Sequence, residues 1–166
     1  MASAPSPNGR TPTIELEIPA RAEYIGLVRL LVSSLASSRR ALADERIDDL
    51  KLAVSEACTN AIEAHAALAV QERVTLRWAE ADDRLQVEVE DRGPGFDPHA
   101  LPEHPPVTDP ERLNFERGLG IPLIRTLVDE VDFLPSEGGT SVRLVMFCGP
   151  IDTIVGPPTG ELWLDN

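Results

Sequence analysis

Prolines decide what the middle of this chain can be. Pro94, Pro98, Pro102, Pro105, Pro106 and Pro110 fall between Arg92 and Arg117. Each lacks a backbone N–H and fixes φ near −65°, so the stretch can be neither a helix nor an inner strand. Unpatterned connections longer than about 12–15 residues are uncommon inside a compact domain unless they form a lid or a binding loop. The segment therefore reads as a lid, and the flanking elements must supply what it covers.

Those elements follow from periodicity. Thr13 to Ile18 alternates apolar and polar residues, the period of a half-buried strand, and Pro19 ends it. From Arg21 to Ser38, Ile25, Val28, Leu31, Val32 and Leu35 fall at helical spacing. Asp44 can cap a second helix, whose stripe Ile47, Leu50, Val54, Ala57 and Ala61 runs to about His65. Val74, Leu76 and Trp78, then Leu85, Val87 and Val89, mark two strands joined at Ala81-Asp82-Asp83. After the lid, Gly118-Leu119-Gly120 opens a helix through Val128. A strand at Val131–Leu134, a turn at Glu137-Gly138-Gly139 and a last strand from Thr140 to Phe147 complete the pattern. The order predicts an α+β fold of two layers, an antiparallel or mixed sheet with helices on one face. Residues 1–12 read as a tail, 13–148 as the domain and 149–166 as a C-terminal extension.

Composition narrows the partners. Hydrophobic residues make up 42% of the 166, enough for a core, and 15 Lys+Arg against 28 Asp+Glu give a formal charge of −13. Such a field repels a phosphate backbone and an anionic leaflet, so nucleic acid and membrane are not expected partners. A nucleotide in a locally neutralised pocket remains compatible. No apolar run approaches the roughly 20 residues of a membrane span, and the N-terminus lacks a secretory apolar core. Cys58 and Cys148 form neither a disulfide framework nor a zinc motif, and the expected compartment is the cytoplasm.

Three short motifs carry possible chemistry. Glu56 and Asn60, four residues apart, project from one helix face. A carboxylate beside an amide oxygen suits magnesium-dependent phosphoryl transfer, since the amide offers a neutral hard ligand and the carboxylate can accept a proton. Taken alone, E-x-x-x-N also describes a solvated polar face. Asp91-Arg92-Gly93-Pro94-Gly95-Phe96 follows a strand, where the carboxylate can accept from an exocyclic amine and glycines let a ligand approach the backbone. By itself it is more often a turn than a site. Arg117-Gly118-Leu119-Gly120 starts a helix, whose outward N–H groups and dipole favour an anion, or it is simply a hinge. His65, His99 and His104 are too scattered for a metal site; Trp78 reads as sheet core and Cys58 as an inert buried residue.

In this order, the motifs resemble the GHKL ATPase superfamily, with its Bergerat fold, and within it the anti-sigma-factor serine kinases (RsbW-like). The stretch Leu52 to Ile62 is similar to their N-box, Asp91 to Phe96 to the first glycine box, Gly118 to Val131 to the second box and its helix, and Gly139 to Leu144 to the last strand. The resemblance implies ATP and Mg2+. Glu56 is then the general base toward a substrate serine, Asn60 the magnesium ligand and Asp91 the partner of the adenine amine. Gly93 and Gly95 would shape the adenine side, Gly118 and Gly120 the phosphate side, and Thr140 would lie near the adenine. Arg117, directly before Gly118, would reach the terminal phosphate, and Arg29 on the first helix would meet protein partners. Also implied are sequestration of a sigma factor, phosphorylation of an anti-sigma-factor antagonist, and a homodimer. The alternative within the same likeness is a nucleotide-binding partner-switching module without kinase activity. A histidine-kinase catalytic domain or a clamp ATPase is less compatible, because no phosphoacceptor hairpin or further domain is visible in the sequence.

Overall fold

The computed structural model describes residues 13–38, 42–66, 72–81, 83–93, 120–136 and 138–148. The lid, both tails and the motif residues Gly95, Arg117 and Gly118 lie outside the described residues. The elements run β1 (Thr13–Pro19), a 3-10 turn (Ala22–Tyr24), α1 (Ile25–Ser38), α2 (Asp44–Ala66), β2 (Arg73–Glu80), β3 (Arg84–Glu90), α3 (Gly120–Leu127), β4 (Glu130–Ser136) and β5 (Gly139–Phe147). Asp44 is the first residue of α2 rather than its cap. The Ala43 carbonyl accepts from the Arg46 and Ile47 N–H groups, and Asp44 and Glu45 place acid at the positive end of the dipole.

The five strands form one sheet in the order β1-β2-β3-β5-β4. The α+β two-layer arrangement is as expected, and of the antiparallel and mixed sheets the sequence left open the antiparallel one is found, since every ladder is antiparallel. The reason is where the last strand inserts. β3 and β4 run in the same direction across the crossover through α3, as in a β-α-β unit, yet β5 enters between them and pairs antiparallel with both.

Register assigns the faces, because residues directly opposite one another point to the same side. One face carries the rows Ile14–Trp78–Val87–Leu144–Val131 and Leu16–Leu76–Val89–Val142–Phe133. These rows pack with Val28, Val32 and Ala36 of α1, Ile47, Leu50, Val54, Ala57, Cys58 and Ala61 of α2, and Ile124 of α3 in a single core. α2 is the middle helix, with α1 on one flank and α3 on the other. Ile14 is 45% exposed, as the first apolar residue of an edge strand whose far end, at Ile18, is covered.

The opposite face is charged. Glu15, Arg77, Glu88, Arg143 and Asp132 stand in one row across all five strands, alternating in sign. Arg77 donates to Glu15 (2.8 Å) and Glu90 (2.5 Å), and Arg143 is paired with Asp132. The hydrogen bond to Glu90 raises the Arg77 pKa most, outweighing partial burial, and Glu15 adds to it. Among the described residues, no helix is long and apolar enough to cross a membrane.

Candidate functional site

Small residues on α2 create the space for a ligand. Ala57, Asn60, Ala61 and Ala64 recur at the i, i+3, i+4, i+7 spacing of one helix face, and with Val89, Asp91, Thr140 and Val142 they line a hollow. The hollow is partly open to solvent. Val89 and Val142 are opposite one another in the β3–β5 ladder and form an apolar floor. Asn60, Asp91 and Thr140 supply polar groups around it.

Asp91 is 7% exposed and fixed by its own turn. Its Oδ1 accepts the Gly93 N–H at 2.7 Å and lies 3.4 Å from the Thr140 nitrogen, while its own N–H donates to the Thr140 carbonyl at 2.9 Å. The hydrogen bonds to Asp91 from described residues all go to Oδ1 and none to Oδ2. Gly93 is demanded by proximity: a Cβ there would stand 2.8 Å from the Ala64 Cβ and 3.0 Å from Asp91 Oδ1.

At the other end, α3 begins against the polar face of α2. A Cβ on Gly120 would lie 3.2 Å from Glu56 Oε2 and 3.3 Å from Asn60 Oδ1. Glu56 and Asn60 thus both reach the backbone at the first residue of α3, which joins the E-x-x-x-N motif to the glycine-started helix in space. Glu56 and Asn60 are both half-buried, at the boundary between protein and solvent. Among the described residues no cluster of His, Cys, Asp and Glu could by itself hold a metal.

The structure therefore brings together Glu56, Asn60, Asp91, Gly93, Gly120 and Thr140. Arg29 stands exposed on α1 and is not among the residues lining the hollow. Sequence reasoning read Ala57 and Ala61 as core stripe and missed that, with Ala64, they line the hollow, a role signalled by the row of small side chains bracketing Asn60; it also missed the burial of His65. Expected as a helix-end residue, His65 is 2% exposed, and its Nε2 accepts the Arg92 N–H at 2.9 Å. Trp78 is buried in the sheet core, as expected. Burial pushes the Cys58 thiol up to about 12, which makes it unreactive.

Comparison with known proteins agrees with this arrangement. The family described as a histidine kinase-like ATPase domain matches residues 18–146. This chain belongs to that family. Among curated relatives, the serine-protein kinase RsbW of Bacillus licheniformis is 40% identical over 139 residues, covering 81% of this chain and 84% of the relative. The serine-protein kinase RsbW of Bacillus subtilis is 38% identical over 138 residues, with the same coverage. A solved structure of the RsbU and RsbW domains of a Mycobacterium tuberculosis protein superposes with a TM-score of 0.60 at 22% identity, covering 86% of this chain and 34% of that longer one. That likeness extends to the fold.

Proposed function

We propose that this chain is an ATP-dependent protein serine kinase that phosphorylates an anti-sigma-factor antagonist, and that it sequesters a sigma factor until the unphosphorylated antagonist docks. The observation that carries the reading is the convergence of Glu56 and Asn60 on Gly120, at one end of a hollow whose other end is Asp91. In this reading an adenine amine donates to Oδ2 of Asp91 while the base lies on Val89 and Val142. The phosphates then extend along α2 toward Asn60 and the start of α3.

The donor set suits Mg2+. This ion is held by few protein oxygens, keeps several waters and takes the rest of its ligands from phosphates. Asn60 Oδ1 would be the protein ligand. When bound, the ion offsets phosphate charge and orients the terminal group. Such compensation is needed, because the described residues lining the hollow include the carboxylate of Asp91 and neither Lys nor Arg. Arg117 and the N–H groups near Gly118 are assigned to the phosphates by resemblance, as Gly95 is to the adenine side and Arg29 to the protein partners. Glu56 orients the serine hydroxyl of the partner and accepts its proton as Oγ bonds to the γ-phosphorus and the bond to ADP breaks. The expected setting is the cytoplasm, and the expected assembly a homodimer.

Labelled ATP with Mg2+ and candidate antagonist proteins tests the reading. Wild-type protein should transfer label to serine, and Glu56→Ala should keep ATP affinity while losing at least about 100-fold in transfer, the usual scale of a general base. Near-normal transfer by folded Glu56→Ala overturns the base assignment. ATP uptake by wild-type protein without transfer to any antagonist would instead favour the non-kinase switching module.

A further inference from the structure

We propose that His65 is a positioning residue for nucleotide selection: by accepting the Arg92 N–H, it holds the turn that aims Asp91 at the base. The inference rests on the adenine-nucleotide reading of the hollow and deepens it. Three consecutive backbone N–H groups build this turn. That of Asp91 goes to the Thr140 carbonyl, that of Gly93 returns to Asp91 Oδ1, and that of Arg92, between them, goes to His65 Nε2 at 2.9 Å. The first two bonds lie within the strand pair and the turn itself. The imidazole is the group that ties the turn to α2, the helix carrying Glu56 and Asn60.

The ring's chemistry is fixed by that bond. A backbone N–H only donates, so Nε2 is the unprotonated nitrogen and the ring proton is on Nδ1. Nδ1 is buried and without a hydrogen-bond partner among the described residues. An imidazole 2% exposed with one nitrogen unsatisfied is a costly way to fill a core position that Leu or Met would fill without penalty. The one hydrogen bond that its ring makes among the described residues is therefore the feature to explain, and that bond adjoins the residue expected to read the base. Contact between α2 and the turn is close throughout, since Gly93 has no room for a Cβ beside Ala64. With the imidazole in place Asp91 Oδ1 stays on the turn, and Oδ2, which no described residue bonds, is the oxygen assigned to the base. An acceptor there meets the amine of adenine but opposes the carbonyl that guanine carries at the same place.

Calorimetry of ATP and GTP binding to wild-type, His65→Leu and His65→Gln proteins tests this. Loss of the Arg92 bond should weaken ATP binding about tenfold in His65→Leu and narrow the ATP-over-GTP preference in parallel. His65→Gln, whose Oε1 reaches about as far as Nε2, should recover most of both. A Leu variant with wild-type ATP affinity overturns the proposal. So does one that loses ATP and GTP equally, because that is what a merely structural residue would do. If His65→Leu does not fold, ring 15N shifts of the wild-type protein decide: an acceptor-type Nε2 supports the proposal and a protonated Nε2 overturns it. Wild-type protein that takes up no adenine nucleotide defeats the functional reading itself, a result separate from any difference among the variants.

Discussion

Gly120 is where one missing methyl group matters most. An alanine there would place its Cβ within 3.2–3.4 Å of Glu56 Oε2 and both amide atoms of Asn60. Those atoms end side chains that can give way, so the fold should tolerate the change while the chemistry does not. Gly120→Ala is expected to shift the melting temperature by only a few degrees, corresponding to about 1 kcal/mol. Phosphate transfer should fall by one to two orders of magnitude, roughly the effect of an ångström of misplacement. Thermal denaturation and a transfer assay on the same preparation check both halves. At this scale the sequence was partly legible. The four-residue spacing of Glu56 and Asn60 could be read directly, because helix geometry alone puts such residues on one face. The burial of His65 could not, since an imidazole in a last helical turn is equally compatible with solvent, and the N–H that its ring accepts lies 27 residues away.

Among the elements, the junction of β3 with β5 has the least tolerance. A Cβ on Gly139 would fall 1.9 Å from the Asp91 carbonyl oxygen, a backbone atom that cannot step aside without moving the turn. Its neighbour Gly138 has φ +86° and open space around it. The two should therefore respond differently to the same substitution. Gly139→Ala is expected to cost about 3 kcal/mol, the upper range for overpacking, and to impair ATP uptake. Gly138→Ala should cost only about 1 kcal/mol, from strained φ alone, and leave uptake intact. Urea unfolding and calorimetry of the two variants separate these outcomes. The strands and helices themselves were legible from periods of two and 3.6, since half-buried elements record in their sequence which side faces the core. The pairing of the strands was not. Alternation tells which residues face inward and says nothing about which strand is the neighbour, so the insertion of β5 beside β3 had no local signal.

For the molecule as a whole, the buried thiol of Cys58 sets an alkaline limit. Its pKa, pushed to about 12 by burial, compares with about 8.5 for an unfolded cysteine. Between those values the unfolded chain has released a proton that the native chain retains, so stability falls as pH rises; below them the group contributes no slope. Wild-type protein is expected to lose about 1.4 kcal/mol per pH unit more than Cys58→Ala above about pH 9. Urea midpoints of the pair at pH 7, 9 and 10 give the comparison, and parallel curves would remove Cys58 as the cause.

The place of β5 has a consequence for when this protein can begin to work. β5 is the latest in chain order of the described strands, yet it enters the interior of the sheet, and it brings Thr140 and Val142, half of the hollow's lining from outside α2. A nascent chain that already displays Glu56, Asn60 and Asp91 still has no pocket to offer. On the proposed reading, competence to hold nucleotide arrives only once β5 is in place, so copies still lacking that strand would not compete with finished ones for ATP.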